Sequence, residues 1–216
     1  MHQIELIRTW GGRRAGAGRK PSFGRRSVMH RPRPSHDARC PVHVTLRVGA
    51  GIGSLRGPGL FGAVRRAMAR ASDDGFRLLH FSVQTDHVHL LVEAKGTSTL
   101  RSDVQGLAIR IARAVNRALG RRGRVWGDRY HARILRTPRE VRNALVYVLA
   151  NWRKHVPGAR GLDPCSSARW FAGWRGGATT IADAVPVASA RTWLARVGWR
   201  RHGLIDVKEA PRPPRR

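Results

Sequence analysis

The reading of this chain turns on Gln84-Thr85-Asp86-His87-Val88-His89-Leu90-Leu91-Val92. From His87 onward the run is apolar and β-branched apart from its two histidines, which is the pattern of a strand. Successive strand side chains point to opposite faces, so His87 and His89 share one face while Val88, Leu90 and Val92 take the other. Two imidazoles side by side on a rigid strand can hold one divalent metal ion. The same pair also fits two exposed strand histidines with no ligand, and the rest of the chain has to decide between them.

Working outward, Phe76 to Val83 reads as a second strand. The polar link Gln84-Thr85-Asp86 is short enough to join the two strands as a hairpin. Upstream, Pro41-Val42-His43-Val44-Thr45-Leu46-Arg47-Val48 alternates as a strand does. A Gly/Pro-rich turn spans 49–59, and then Leu60, Val64, Ala67, Met68 and Ala71 repeat at helical spacing. Downstream, Thr99 to Leu119 is a long basic helix whose apolar stripe includes Val104, Leu107, Ile111 and Val115. A basic loop, Arg121-Arg122-Gly123-Arg124, ends it.

The clearest start signal is Thr137-Pro138-Arg139-Glu140. Thr sits at the N-cap, Pro at the first helical position and Glu three residues after the cap. Val141, Ala144, Leu145, Val148, Leu149 and Trp152 form the buried face of this helix, which stops before Pro157-Gly158. Tyr147, Asn151 and Lys154 follow at i, i+4 and i+7 on an adjacent face. The order strand–helix–strand–strand–helix–strand–helix implies an α+β fold, a ferredoxin-like antiparallel sheet with helices packed on one face. The His87–His89 strand then lies near the middle of the sheet, with Tyr147 carried towards it.

Charge bounds the partner. The 216 residues carry 42 Lys+Arg against 13 Asp+Glu, a formal net charge of +29. Self-repulsion on this scale opposes compaction unless a polyanion offsets it, which makes nucleic acid the default partner. The basic residues are spread along the whole length and do not line one amphipathic helix, which argues against a membrane surface. No uninterrupted apolar run approaches the ~20 residues that span a bilayer, and no signal peptide is recognisable. Cys40 and Cys165 form neither a disulfide framework nor a zinc-finger spacing. The expectation is a soluble, cytoplasmic protein that works on nucleic acid.

The expected organisation has four parts. Residues 1–39 form a basic Gly/Pro-rich disordered arm, with nine basic residues before position 37. Residues 40–157 form the domain with the histidines and the tyrosine. Residues 158–207 form a small Trp-containing C-terminal extension, and 208–216 a basic tail. Four of the seven tryptophans lie in the extension, where they suit a satellite core better than base stacking.

Taken together, His87-Val88-His89, the segment Trp126-Gly127-Asp128-Arg129-Tyr130-His131-Ala132-Arg133 and the capped helix with Tyr147 and Asn151 resemble the single-tyrosine HUH transposases, in particular the REP-associated tyrosine transposases. The resemblance covers residues 42–155. It implies metal-dependent cleavage and rejoining of single-stranded or hairpin DNA, with Mg²⁺ or Mn²⁺ held by His87, His89 and Asn151. Tyr147 would attack phosphorus, forming a 5′-phosphotyrosine and freeing a 3′-hydroxyl. Many relatives carry Gln where this chain has Asn151; the REP-associated branch has Asn. Two imidazoles and an amide oxygen suit Mn²⁺ better than Mg²⁺. A phenol with a pKa of ~10 needs metal or cationic help to ionise near neutral pH.

The alternatives each leave a mark. Tyr147 also fits a half-buried helix aromatic, and Tyr130, the other tyrosine, fits a DNA or packing contact. Asp86 fits either a hairpin turn or a group that orients His87. His43 and His131 read as ordinary histidines. Arg121, Arg122, Arg124, Arg129 and Arg133 are the candidate DNA contacts. A catalytically inactive hairpin DNA- or RNA-binding protein of the same fold is the second function, and a hydrolytic metalloenzyme without a covalent intermediate the third. Few acids surround the histidines, which weakens the third. Monomer and homodimer both stay open.

Overall fold

Four strands form one antiparallel sheet. In the computed structural model, which describes residues 35–154, 158, 160–177 and 185–211, the strands are β1 (Val42–Arg47), β2 (Phe76–Val83), β3 (His87–Ala94) and β4 (His131–Ile134). Their order across the sheet is β2-β3-β1-β4, with every neighbouring pair antiparallel. This is the ferredoxin-like arrangement: β3 inserts between β1 and β2, which a helical crossover joins. The expected arm up to residue 34 and the end of the basic tail from 212 lie outside the described residues.

Two helices cover one face, α1 (Pro58–Met68) and α2 (Thr97–Ala118). Val88, Leu90 and Val92 of β3 point to that side and pack with Val64 and Met68 of α1 and Val104, Leu107 and Ile111 of α2. The even-numbered side of β3 is therefore core, as its alternation requires.

The third helix, α3 (Pro138–Ala150), differs from the expectation of helices on one face only. Leu91 of β3 and Leu79 of β2 pack with Val141, Leu145 and Leu149 of α3 in a separate cluster on the opposite face. The sheet is thus covered on both sides. The reason is local: Leu91 follows His87 and His89 on the same face, and β2 has a register shift between Leu78 and His80 that turns Leu79 to that side. An apolar strip on the histidine face needs a cover, and α3 supplies it.

The C-terminal segment completes this second layer. Phe171, Trp174, Trp199 and Ile205 join the α3 cluster, and Phe171 packs edge-on to Trp174 with ring centroids 5.2 Å apart. Trp193, on a short helix α4 (Trp193–Arg196), is 49% exposed. The segment is tied down by polar contacts far apart in sequence. Asp163 receives Arg56 at 2.8 Å, Ser167 Oγ accepts the Phe81 N–H at 3.0 Å, and the buried Glu93 carboxylate accepts the Arg191 and Thr192 N–H groups, each at 2.9 Å.

Candidate active site

Both β3 histidines face α3, and their ring centroids lie 4.5 Å apart at 76°. His89 is buried at 3% exposure and His87 is partly exposed near the hairpin turn. The sheet puts polar side chains of β1 directly opposite: Thr45 pairs with His89 and Arg47 with His87.

Each imidazole is oriented through Nδ1. His87 Nδ1 lies 2.6 Å from Asp86 Oδ1, and Arg47 reaches Asp86 Oδ2 at 2.8 Å. The His87 hydrogen bond, with Arg47 adding to it, holds the Asp86 carboxyl below the ordinary carboxylate range. Asp86 is therefore both the hairpin turn residue and the group that orients His87. His89 Nδ1 lies 3.2 Å from His43 Nε2 and 3.1 Å from Thr45 Oγ1. With Nδ1 engaged on both rings, Nε2 is the remaining ring nitrogen of each.

Tyr147 comes from α3. The helix start is fixed as the sequence signals: Thr137 Oγ1 accepts from the Glu140 N–H at 3.2 Å and Glu140 Oε2 accepts from the Thr137 N–H at 3.2 Å, with Pro138 in the first turn. Three turns on, the Tyr147 ring meets His89 edge-on with centroids 4.9 Å apart at 79°, and meets His43 at 5.5 Å. Burial pushes the phenol above its ordinary pKa. Tyr130, in contrast, packs against the α1/α2 core on the other side of the sheet. Of the two tyrosines in the chain, the one on the histidine face is Tyr147.

Asn151 caps the end of α3, one helical turn after Tyr147. It is 1% exposed, and neither Oδ1 nor Nδ2 has a hydrogen-bond partner among the described residues. A buried amide left in that state costs roughly 1–3 kcal/mol unless a ligand satisfies it. Among the described residues no three His, Cys, Asp or Glu side chains gather as a metal site. His87, His89 and the Asn151 amide oxygen are donors of the kind that a divalent cation takes.

The candidate DNA contacts divide. Arg133 pairs across from His43 in the sheet and forms an ion pair with Glu140 at 3.0 Å. Arg121 donates to the Arg124 carbonyl at 3.4 Å, and Arg124 donates to the Gly127 carbonyl at 2.7 Å, so both bind their own loop. Arg122 and Arg129 are exposed. This loop is held against the end of β1, where the Gly127 N–H donates to the Arg47 carbonyl at 2.9 Å. A Cβ at Gly127 would stand 3.1 Å from the Val48 carbonyl, so the close approach favours glycine.

Thr45 and Arg47 escaped the sequence reading, and His43, which reads there as an ordinary histidine, stands against His89 and Tyr147. The signal was present, because β1 alternates polar at 43, 45 and 47 with apolar at 42, 44 and 46. Packing around its ring lowers the His43 pKa to about 4, with His131 and Arg133 adding to the effect, so His43 is neutral at neutral pH.

No curated protein matches the chain by sequence. A solved structure described as a REP-associated tyrosine transposase bound to a REP hairpin is similar, with 18% identity, a TM-score of 0.48, and coverage of 72% of this chain and 96% of that one. The family model for IS200-like transposases matches residues 63–150, which run from within α1 to the last residue of α3. That segment, which contains His87, His89 and Tyr147, is similar to the IS200-like transposases.

Proposed function

We propose that this protein cleaves and rejoins single-stranded DNA, with hairpin DNA as its substrate and Tyr147 as its nucleophile. The observation that carries the reading is the Tyr147 ring, its centroid 4.9 Å from that of His89 on the α3 face of the sheet. A half-buried helix aromatic needs no histidine pair beside it, and a pure binding module needs neither.

In this reading the Tyr147 oxygen attacks the scissile phosphorus. The bond from phosphorus to the 3′ oxygen breaks, the phenolic proton is lost, and the departing 3′ oxygen gains a proton to leave a free 3′-hydroxyl. The phosphorus stays on Tyr147 as a 5′-phosphotyrosine, which stores the bond for rejoining. His87, His89 and Asn151 would hold the divalent ion. When bound, that ion supplies polarisation of the scissile phosphate and neutralises charge in the transition state. The net charge of +29 draws the strand in, and Arg122 and Arg129 meet its phosphates.

The test is denaturing gel electrophoresis of labelled hairpin oligonucleotides incubated with the protein in Mn²⁺ or EDTA. A metal-dependent, protease-sensitive adduct that disappears in Tyr147→Phe supports the reading. Cleavage retained in Tyr147→Phe would establish hydrolysis instead. Tight hairpin binding with no adduct in Mn²⁺ would leave a binding protein.

A further inference from the structure

His43 lies on β1, forty-six positions before the strand neighbour it touches. Its Nε2 is 3.2 Å from His89 Nδ1, and its ring contacts both His89 and Tyr147, at centroid distances of 5.2 and 5.5 Å.

We propose that His43 is a positioning residue that sets the tautomer of His89, accepting the Nδ1 proton so that His89 Nε2 keeps its lone pair for a divalent ion. The proposal rests on the reading of His89 as a metal ligand. Its logic is proton counting. A neutral imidazole carries one ring proton. If that proton sits on Nε2, His89 cannot ligate through Nε2; if it sits on Nδ1, Nδ1 needs an acceptor. Two acceptors lie within reach, His43 Nε2 and Thr45 Oγ1 at 3.1 Å. The Thr45 hydroxyl can donate or accept with equal ease, so alone it leaves the tautomer undecided. His43 Nε2 and His89 Nδ1 have one proton to share between them, and ligation through His89 Nε2 requires that proton on His89, with the His43 proton on its own Nδ1.

The two ligand imidazoles are then oriented by different chemistries. His87 donates to a carboxylate and His89 to a neutral ring. Both supports precede the reaction, since both come from side chains held in the sheet register of β1 and the hairpin turn.

The experiment has two readouts on the full chain, neither of which needs catalysis. The ring nitrogens of His89 are observed by ¹⁵N NMR without metal, assigned by comparison with His89→Gln, and Mn²⁺ affinity is measured by electron paramagnetic resonance. Wild type should show His89 protonated at Nδ1. In His43→Leu the tautomers should mix and Mn²⁺ affinity fall about tenfold. In His43→Gln, which returns an acceptor at similar reach, both should recover in large part. His43→Leu with wild-type affinity, or a wild-type His89 protonated at Nε2, overturns the proposal. A wild-type chain that binds no Mn²⁺ sinks the ligand reading itself, while the metal-free NMR signal still decides whether His43 sets the tautomer.

Discussion

Asp86 holds His87 from the neighbouring position in the chain: its Oδ1 lies 2.6 Å from His87 Nδ1, while Arg47 occupies its other oxygen at 2.8 Å. The turn of the β2–β3 hairpin thereby doubles as the support of the first histidine. The turn is itself pinned, since the Val48 N–H donates to the Asp86 carbonyl and the Gln84 N–H to the His87 carbonyl, each at 2.8 Å.

Asp86→Asn should keep the fold and lose the orientation. An amide can still hydrogen-bond His87, but it no longer fixes the Nδ1 proton or attracts Arg47. The Mn²⁺ concentration needed for half-maximal adduct formation should rise by about 10–100-fold, as for other groups that support a ligand histidine. The thermal midpoint should move little, because the Arg47–Asp86 pair is exposed and worth at most ~1 kcal/mol. An unchanged Mn²⁺ requirement would reduce Asp86 to a turn residue.

The hairpin, the strand faces and the start of α3 were all legible, because each is written in local chemistry. Alternation separated His87 and His89 from Val88 and Leu90, and Thr137 with Glu140 announced the capping box. What stayed hidden depends on distance along the chain. Asp163 finds Arg56 across 107 positions, and Thr192 finds Glu93 across 99. No periodicity within 160–207 announces such partners, and the helices among its described residues are single short turns. His43 stayed hidden for a related reason: its role appears only when β1 and β3 are set in register, with Thr45 opposite His89.

The Arg56–Asp163 pair should be the most sensitive polar contact of the C-terminal segment. Asp163 has no exposed side-chain surface, and it also accepts the Cys165 N–H at 2.9 Å. Asp163→Ala strands a guanidinium that is only 19% exposed and should cost about 3–5 kcal/mol. In a chain of this size that lowers the melting temperature by roughly 10 °C. A calorimetric midpoint within two or three degrees of wild type would show that this pair does not hold the segment.

Arg122 and Arg124 are two positions apart and should fail differently. Arg122 is exposed, so Arg122→Ala should weaken DNA binding and reduce the slope of log affinity against log salt by about one phosphate. Arg124 is spent on the Gly127 carbonyl, so Arg124→Ala should mainly loosen the loop that lies along β1. Filter binding across a salt series separates them, and equal loss of slope in both variants would show that Arg124 leaves its loop to meet the strand.

Acid should weaken the attachment of the C-terminal segment to β2 through His80. Its Nδ1 lies 3.1 Å from Ser167 Oγ and its ring packs edge-on to Phe171 at 5.3 Å. Burial lowers its pKa from 6.5 to about 4. The folded chain therefore resists the proton that the unfolded chain accepts, and stability falls with pH. Nothing is lost above 6.5, where the ring is neutral in both states. Between about 6.5 and 4 the loss grows towards ~3 kcal/mol, less whatever water reaches the partly exposed ring. His43, lowered to about 4 as well, adds in the same direction. Chemical denaturation at a series of pH values should then show stability declining from 6.5 to 4. His80→Gln should remove about half of that slope at a small cost at neutral pH. A slope unchanged in His80→Gln would place the acid sensitivity elsewhere.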